Sequence, residues 1–311
     1  MVSIKTVAVL GGTGNLGPSI VSELLSAGFT VTGLTRLTSS NSTPAYPDSV
    51  SVHKVDFGSF DSLKSAFSGQ DAVVSVVGSP GIGAQKVAVD AAIAAGVKRF
   101  IPSEFGVNTR KVRDWPIGKI LKGKVEVVDY LIEKVKEGVN GGEFGWTGVS
   151  TGLFFDWGLE NHGLSTVNLK EKTSSIVDSG NEKFQVSTLA QVGRAVVGIL
   201  QHPEETKNKY LVTSSFQVSQ NELIKAVEEL TGEKFPVVKR EKAEELQKAG
   251  EEKLAVGDFR AFLDFLRAYN HRDGAGNAVS EEESGNGLIG LGYEDLRESV
   301  RAWLVKAGVV E

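Results

Sequence analysis

Three closely spaced lysines, Lys119, Lys122 and Lys124, stand at the start of an apolar-periodic stretch, and each is a candidate for proton transfer. A lysine desolvated by a bound cofactor and an apolar substrate has its pKa pulled down toward the range useful for general acid–base work. A second candidate is Tyr130, four residues before Lys134. At roughly 100° per residue, Leu121, Val125, Val128, Ile132 and Val135 share one helical stripe, which places Tyr130 on the opposite side and deep in the helix. On the same geometry Lys124 lies nearest the stripe, Lys122 on its flank and Lys119 farther round, and periodicity alone does not choose among them. The chain has no cysteine, which excludes thiolate catalysis, disulfides and cysteine-ligated metals. His53, His162, His202 and His271 show no metal-ligand spacing, so no metal is expected. His162 is the one histidine expected to touch a substrate.

A proton donor of this kind needs a partner that moves electrons, and the N-terminal stretch supplies one. Thr6–Arg36 reads TVAVLGGTGNLGPSIVSELLSAGFTVTGLTR. An uncharged run of β-formers suits a strand buried on both faces of a parallel sheet. Gly12, Gly14 and Gly17 satisfy G-x-G-x-x-G, while Gly11, Gly14 and Gly17 satisfy G-x-x-G-x-x-G. In this pattern glycine permits the tight turn off the strand, lets backbone approach a pyrophosphate, and lets the following helix sit close to the sheet. An amphipathic helix (Ile20, Val21, Leu24, Leu25) and a second strand, Thr30–Thr35, complete the context of a dinucleotide site. Gly11, Thr13, Gly14, Asn15, Leu16 and Gly17 are its expected contacts, with the helix N-terminus facing the phosphates.

The end of the second strand bears on which dinucleotide. NAD-selecting chains place an acid there, about 20 residues beyond the glycines, to hold the ribose 2′-OH. This chain has Thr35-Arg36 and no acid until Asp48. An arginine fork matches a 2′-phosphate, so NADP (NADPH) is the expected cofactor.

The elements that must position these groups alternate through the first half. A Ser/Thr/Pro-rich loop follows Arg36, and Val50–Val55 is a third strand ending in Asp56-Phe57. Asp56 suits either an adenine contact or a cap for the helix near Phe60. Asp71–Val77 is a fourth strand running into Gly78, so Val77 and Gly78 are expected against the cofactor. Gln85–Ala95 is helical and stops at Gly96. Arg99–Pro102 is a fifth strand that delivers Ser103-Glu104-Phe105-Gly106 to the same sheet edge. Ser103 and Phe105 are expected near the nicotinamide, with Glu104 in a structural role. A long helix from Trp115-Pro116 to about Lys136 and a sixth strand, Phe144–Val149, complete the alternation. The fold class is α/β, a doubly wound parallel sheet over residues 1–150 with a smaller α+β portion over residues 151–311, some elements of which are expected to pack back on the first.

In that second portion, Gly152 is expected at the cofactor, and Phe154 and Trp157 on one wall of a substrate pocket. Thr188-x-x-Gln191 and Ser219-x-x-Glu222 read as capping boxes opening helices. Tyr210–Thr213 and Pro236–Lys239 read as strands of the smaller portion. Phe262, Phe265, Leu266 and Tyr269 share one helical face, which is read first as core.

Composition sets the outer bounds. The chain has 311 residues and a net charge of −5, with ordinary apolar and charged fractions. No basic cluster marks a nucleic-acid surface, and no stretch approaches a membrane span. A cytoplasmic protein, monomeric or homodimeric and acting on a small, aromatic molecule, is expected.

GGTGNLG, IPSEFGV after the fifth strand and KGKV some way beyond it together resemble the isoflavone reductase-like family, which groups with NmrA-like proteins among the atypical short-chain dehydrogenases. The similarity runs from Val7 to about Val149 and continues more faintly through Gln191-Val-Gly193 and SQNELIKAVEELTG. It implies an NADPH-dependent reductase of phenylpropanoid-type compounds, with hydride from nicotinamide C4. The K-x-K-V/I pattern implies that Lys122 binds the nicotinamide ribose and acts as the general base. The family pattern also has an arginine four residues after that lysine, where this chain has Glu126. The same resemblance carries an alternative function, a dinucleotide-sensing regulator without catalysis.

Overall fold

A computed structural model describes residues 3–37, 46–161, 164 and 166–311, so the expected substrate contact His162 lies outside the described residues. In chain order the first half runs β1 (Thr6–Leu10), α1 (Gly17–Ser26), β2 (Thr30–Arg36), β3 (Ser51–Val55), α2 (Phe60–Phe67), β4 (Ala72–Ser75), α3 (Gln85–Ala94), β5 (Arg99–Ile101), α4 (Pro116–Ile120), α5 (Lys122–Lys136) and β6 (Gly145–Ser150). The second half runs β7 (Leu153–Phe154), α6 (Phe155–Glu160), β8 (Val167–Asn168), β9 (Thr173–Val177), β10 (Phe184–Ser187), α7 (Leu189–Gln201), β11 (Lys209–Val212), β12 (Phe216–Val218), α8 (Gln220–Thr231), β13 (Val237–Glu241), α9 (Ala243–Ala255), α10 (Ala261–His271) and α11 (Leu296–Lys306).

A seven-stranded sheet in the order β11-β6-β5-β4-β1-β2-β3 organises the molecule. Every neighbouring pair in it is parallel. The strands alternate between two cores, as a sheet covered on both faces requires. Val7 and Val9 face α1 and α7, whose Ile20, Leu24, Val192 and Val196 pack beside them. Ala8 and Leu10 face the opposite layer, built from Leu63 and Phe67 of α2, Ala88 and Val89 of α3, and Val127, Val128 and Leu131 of α5. This is the doubly wound α/β fold expected from the alternation of elements.

Several local readings change. Tyr210–Thr213 was expected in the smaller portion, but β11 instead extends the main sheet beside β6, with Leu211 opposite Val149. The Thr188 hydroxyl accepts from the Gln191 amide, yet the Gln191 side chain bonds to the Gly292 carbonyl, so only half of that capping box forms. The Ser219–Glu222 box is complete. The helix expected from Pro116 to Lys136 is broken at Leu121 into α4 and α5.

Two three-stranded sheets, β12-β10-β7 and β13-β9-β8, accompany a third core centred on Phe155, Phe184, Leu223 and Trp303. At the end of α10, His271 is buried with its ring edge-on to Phe184 at 4.5 Å between centroids. Its Nδ1 has no partner. Desolvation, with a smaller contribution from the Arg267 charge, pushes its pKa down to about 3.

The sign of the resulting pH dependence follows from linkage. An unfolded chain protonates this histidine near 6.5, whereas the folded chain resists protonation until about 3. Stability is therefore full above about 6.5 and declines as pH falls toward 3, with a limiting slope of about 1.4 kcal/mol per pH unit from this one proton. Urea unfolding between pH 4 and 7 should show that slope, and His271→Leu should flatten it.

Candidate functional site

The glycine turn follows the register in which Gly11 makes the bend. Gly11 has φ +82, and its carbonyl accepts from the Gly14 amide at 3.1 Å. The last glycine serves close packing, because a Cβ on Gly17 would fall on the Gly12 backbone. Leu16, at the cap position of α1, gives the helix N-terminus no side-chain partner. Its first-turn amides thus remain free to meet an anion.

A groove of about 180 Å³ opens at this turn. Gly11, Thr13, Gly14, Arg36, Phe57, Val77 and Gly78 line it, all expected from sequence, together with Thr35, Val76 and Gly81. The remaining expected cofactor residues sit elsewhere. Asn15 is exposed on the turn, while Leu16 and Gly17 are buried against the sheet. Asp56 neither lines the groove nor caps α2. Its Oδ1 accepts from the Gly58 amide at 2.9 Å, and the cap is Ser59. Ser103 is buried beneath the sheet edge, its hydroxyl donating to the Val77 carbonyl at 2.8 Å and its amide to Gln85 Oε1 at 2.9 Å. It ties β5 to the groove wall and lines neither cavity.

A second cavity, about 380 Å³, lies at the exits of β5 and β6 and is lined almost wholly by apolar groups. Phe105, Gly152, Phe154 and Trp157, all expected at the site, form part of it. Phe105 and Gly152 face this cavity rather than the glycine groove. Its outer wall comes from Phe262, Leu263 and Leu266 of α10. The core reading of that helix therefore holds for Phe265 and Tyr269, which are buried, and fails for Phe262 and Leu266. Leu263 is 52% exposed, so the helix carries more apolar surface than its core contact uses. That surplus arc was the available signal.

The exit of β5 is held firmly. The Gly106 carbonyl accepts from Ser150 Oγ at 2.7 Å and from the amides of Thr151 and Gly152 at 3.1 and 3.2 Å. Phe105, with φ +25, turns the chain between Glu104 and that anchor. Glu104 is buried, and its Oε2 accepts from Thr109 Oγ1 at 2.5 Å and Tyr210 Oη at 2.7 Å. Burial, followed by the Glu104 charge, raises the Tyr210 pKa well above its usual value.

Of the three lysines, Lys124 reaches the cavity. Its Nζ donates to the Glu104 carbonyl at 2.7 Å. Desolvation lowers its pKa below the ordinary lysine value, and the nearby Glu104 charge opposes part of that shift. Lys122, to which the family pattern assigned the chemistry, points outward instead. Its side chain is 76% exposed and its Nζ is 3.7 Å from Glu126. Lys124 is also the lysine that the helical wheel places nearest the buried stripe. Tyr130 donates to Asp90 at 2.6 Å in the seam between α3 and α5 and does not line the cavity.

With this geometry in place, comparison with known proteins is informative. A family model described as the NmrA-like family matches residues 3–255. The chain is 35% identical over 291 residues to oxidoreductase poxI of Penicillium oxalicum, covering 93% of this chain and 90% of that one. It is 30% identical over 241 residues to isoflavone reductase homolog IRL of Zea mays, covering 74% and 75%. The solved structure of AtPrR2 with NADP+ and (+)pinoresinol shares the fold with a TM-score of 0.77 at 22% identity, covering 97% of this chain and 99% of that one.

Gly152 has φ +68, and a Cβ there would collide with the Gln185 carbonyl. Gly152→Ala should lower stability by about 2 kcal/mol or more, read as a fall in Tm.

Proposed function

Because the chain belongs to the NmrA-like family, we propose that it is an NADPH-dependent oxidoreductase that reduces a small aromatic or apolar molecule, with Lys124 as the proton-transferring residue. The observation that carries this reading is the Lys124 ammonium, desolvated in the wall of an apolar cavity at the sheet edge where the glycine groove also opens. Oxidoreductase poxI and the maize isoflavone reductase homolog support the reaction class, and AtPrR2 with its NADP+ supports the cofactor.

The groove fits such a cofactor by its own chemistry. Gly11 and Gly14 leave backbone open on its floor, Thr13 offers a hydroxyl, and α1 offers uncapped amides. Arg36 stands at the end of β2, and no carboxylate is among the described groove-lining residues, as a 2′-phosphate requires. When bound, the nicotinamide supplies hydride to the substrate. The chain supplies the rest. Phe154, Trp157 and Phe262 pack against an apolar substrate and exclude water. The Lys124 ammonium donates a proton to the substrate oxygen that gains negative charge as hydride arrives.

A reduction that draws its proton from this ammonium loses rate as pH rises through the lowered pKa of Lys124. NADPH oxidation, followed at 340 nm with a panel of lignans, isoflavones and quinones, should therefore decline at a pH below the usual lysine value near 10.4. Lys124→Ala should lose at least about 100-fold in kcat while retaining NADPH binding, whereas Lys122→Ala stays within about twofold of wild type. Full activity in Lys124→Ala would remove Lys124 from the mechanism. Binding of NADPH with no turnover of any panel member would favour the dinucleotide-sensing alternative. Arg36→Ala should weaken NADPH binding about tenfold or more and leave NADH binding nearly unchanged.

A further inference from the structure

Glu104 has a double relation to Lys124. Its backbone carbonyl holds the ammonium at 2.7 Å, and its carboxylate is the charge that acts on that ammonium. A buried carboxylate without a bonded cation is costly unless other donors satisfy it. Here two hydroxyls do so, both on Oε2: Thr109 at 2.5 Å and Tyr210 at 2.7 Å. The Thr109 amide also donates to Tyr210 Oη at 3.2 Å, which orients the phenol so that its proton points at the carboxylate. Among the described residues nothing donates to Oε1. Glu104 and Thr109 both line the cavity.

Among the described residues no other charged group competes for Lys124. On its own helix Lys122 and Glu126 pair with each other on the outer face, and Glu126 also meets Lys86 at 3.7 Å. The walls from α6 and α10 offer Trp157, Phe262, Leu263 and Leu266, none of which titrates in the working range. Tyr210 arrives from β11, which β6 alone fastens to the sheet. Its phenol lies 106 positions along the chain from the carboxylate it serves.

We propose that Glu104, its carboxylate held in the cavity wall by Thr109 and Tyr210, acts as the positioning residue and counter-charge of Lys124. This extends the reading of Lys124 as the proton-transferring residue, and rests on it for its catalytic meaning. The carbonyl fixes where the ammonium sits. The carboxylate opposes part of the effect of desolvation on the ammonium, and the two hydroxyls hold the carboxylate in place.

The test reads Lys124 directly and then through turnover. Competitive labelling with trace acetic anhydride across pH 6–11, quantified at Lys124 by peptide mass spectrometry, gives its titration midpoint without any substrate. Glu104→Gln keeps the shape and an oxygen acceptor for both hydroxyls but removes the charge. Its Lys124 midpoint should fall by about one pH unit or more, as loss of the Glu104 charge that opposes desolvation of the ammonium dictates. The Tyr210→Phe/Thr109→Val double variant should shift the midpoint in the same direction, because its carboxylate is no longer held in a fixed relation to the ammonium. The alkaline limb of kcat/KM should move by the same amount in both variants, with NADPH affinity unchanged.

An unchanged midpoint in Glu104→Gln overturns the proposal. Shifted midpoints in Glu104→Gln beside a wild-type midpoint in the double variant remove Thr109 and Tyr210 from it. Should the double variant fail to fold, Tyr210→Phe alone and Glu104→Gln still decide the matter. A shifted midpoint together with full turnover in Lys124→Ala upholds the electrostatic pairing and sinks the catalytic assignment of Lys124, so the two failures are distinguishable.

Discussion

The Gly106 carbonyl, which takes three donors from the segment leaving β6, is the constraint on which the rest of the site depends. Parallel strands deliver their C-terminal ends to one edge, but they do not by themselves relate the loops that follow. This junction does. It fixes the β5 exit against the β6 exit, so Glu104 and Phe105 on one side and Gly152, Leu153 and Phe154 on the other become walls of a single cavity. The positive φ of Phe105 is held by the same tie, and Ser103 secures the other end of the turn to Val77.

From this junction the division of the site follows. The glycine groove belongs to β1 to β4 and the turns that leave them, while the cavity belongs to the exits of β5 and β6 with α5, β7, α6 and α10. The Ser103–Val77 bond connects the two parts across neighbouring strands. Polarity is divided in the same way. The groove has Arg36, Thr13 and open backbone, whereas the cavity concentrates its polar groups at Glu104, Thr109 and Lys124 and is otherwise apolar. Such an arrangement orients a substrate by one polar end and leaves its body to shape and desolvation.

Much of the fold was legible because the signals were local. Buried β-runs, the glycine turn and the Ser219 capping box depend on residues a few positions apart, and each formed as read. Seven of the expected cofactor residues line the groove for the same reason. What stayed hidden depends on distant partners. The helical wheel put Lys124 nearest the buried stripe without choosing among the three lysines, because the contact that distinguishes it, the Glu104 carbonyl, lies 20 positions away in the chain. Gln191 has the type and spacing of a capping-box residue, but the Gly292 carbonyl, far along the chain, takes its amide. Tyr210 carries no local mark of its role, since its partner Glu104 becomes a neighbour only once β11 pairs with β6. On α10 the apolar period was visible, but its division between a core and a cavity wall was not.

The order in which the chain contributes to the two spaces has a consequence for its synthesis. All described groove-lining residues fall between Gly11 and Gly81, so this part of the groove is encoded within the first third of the polypeptide. The cavity draws on residues as late as Leu266. A nascent chain emerging N-terminus first therefore possesses every residue of its anion-binding turn well before it possesses a closed apolar chamber. The later part of the chain can diversify in sequence, altering what the chamber admits, without touching a single residue of the groove.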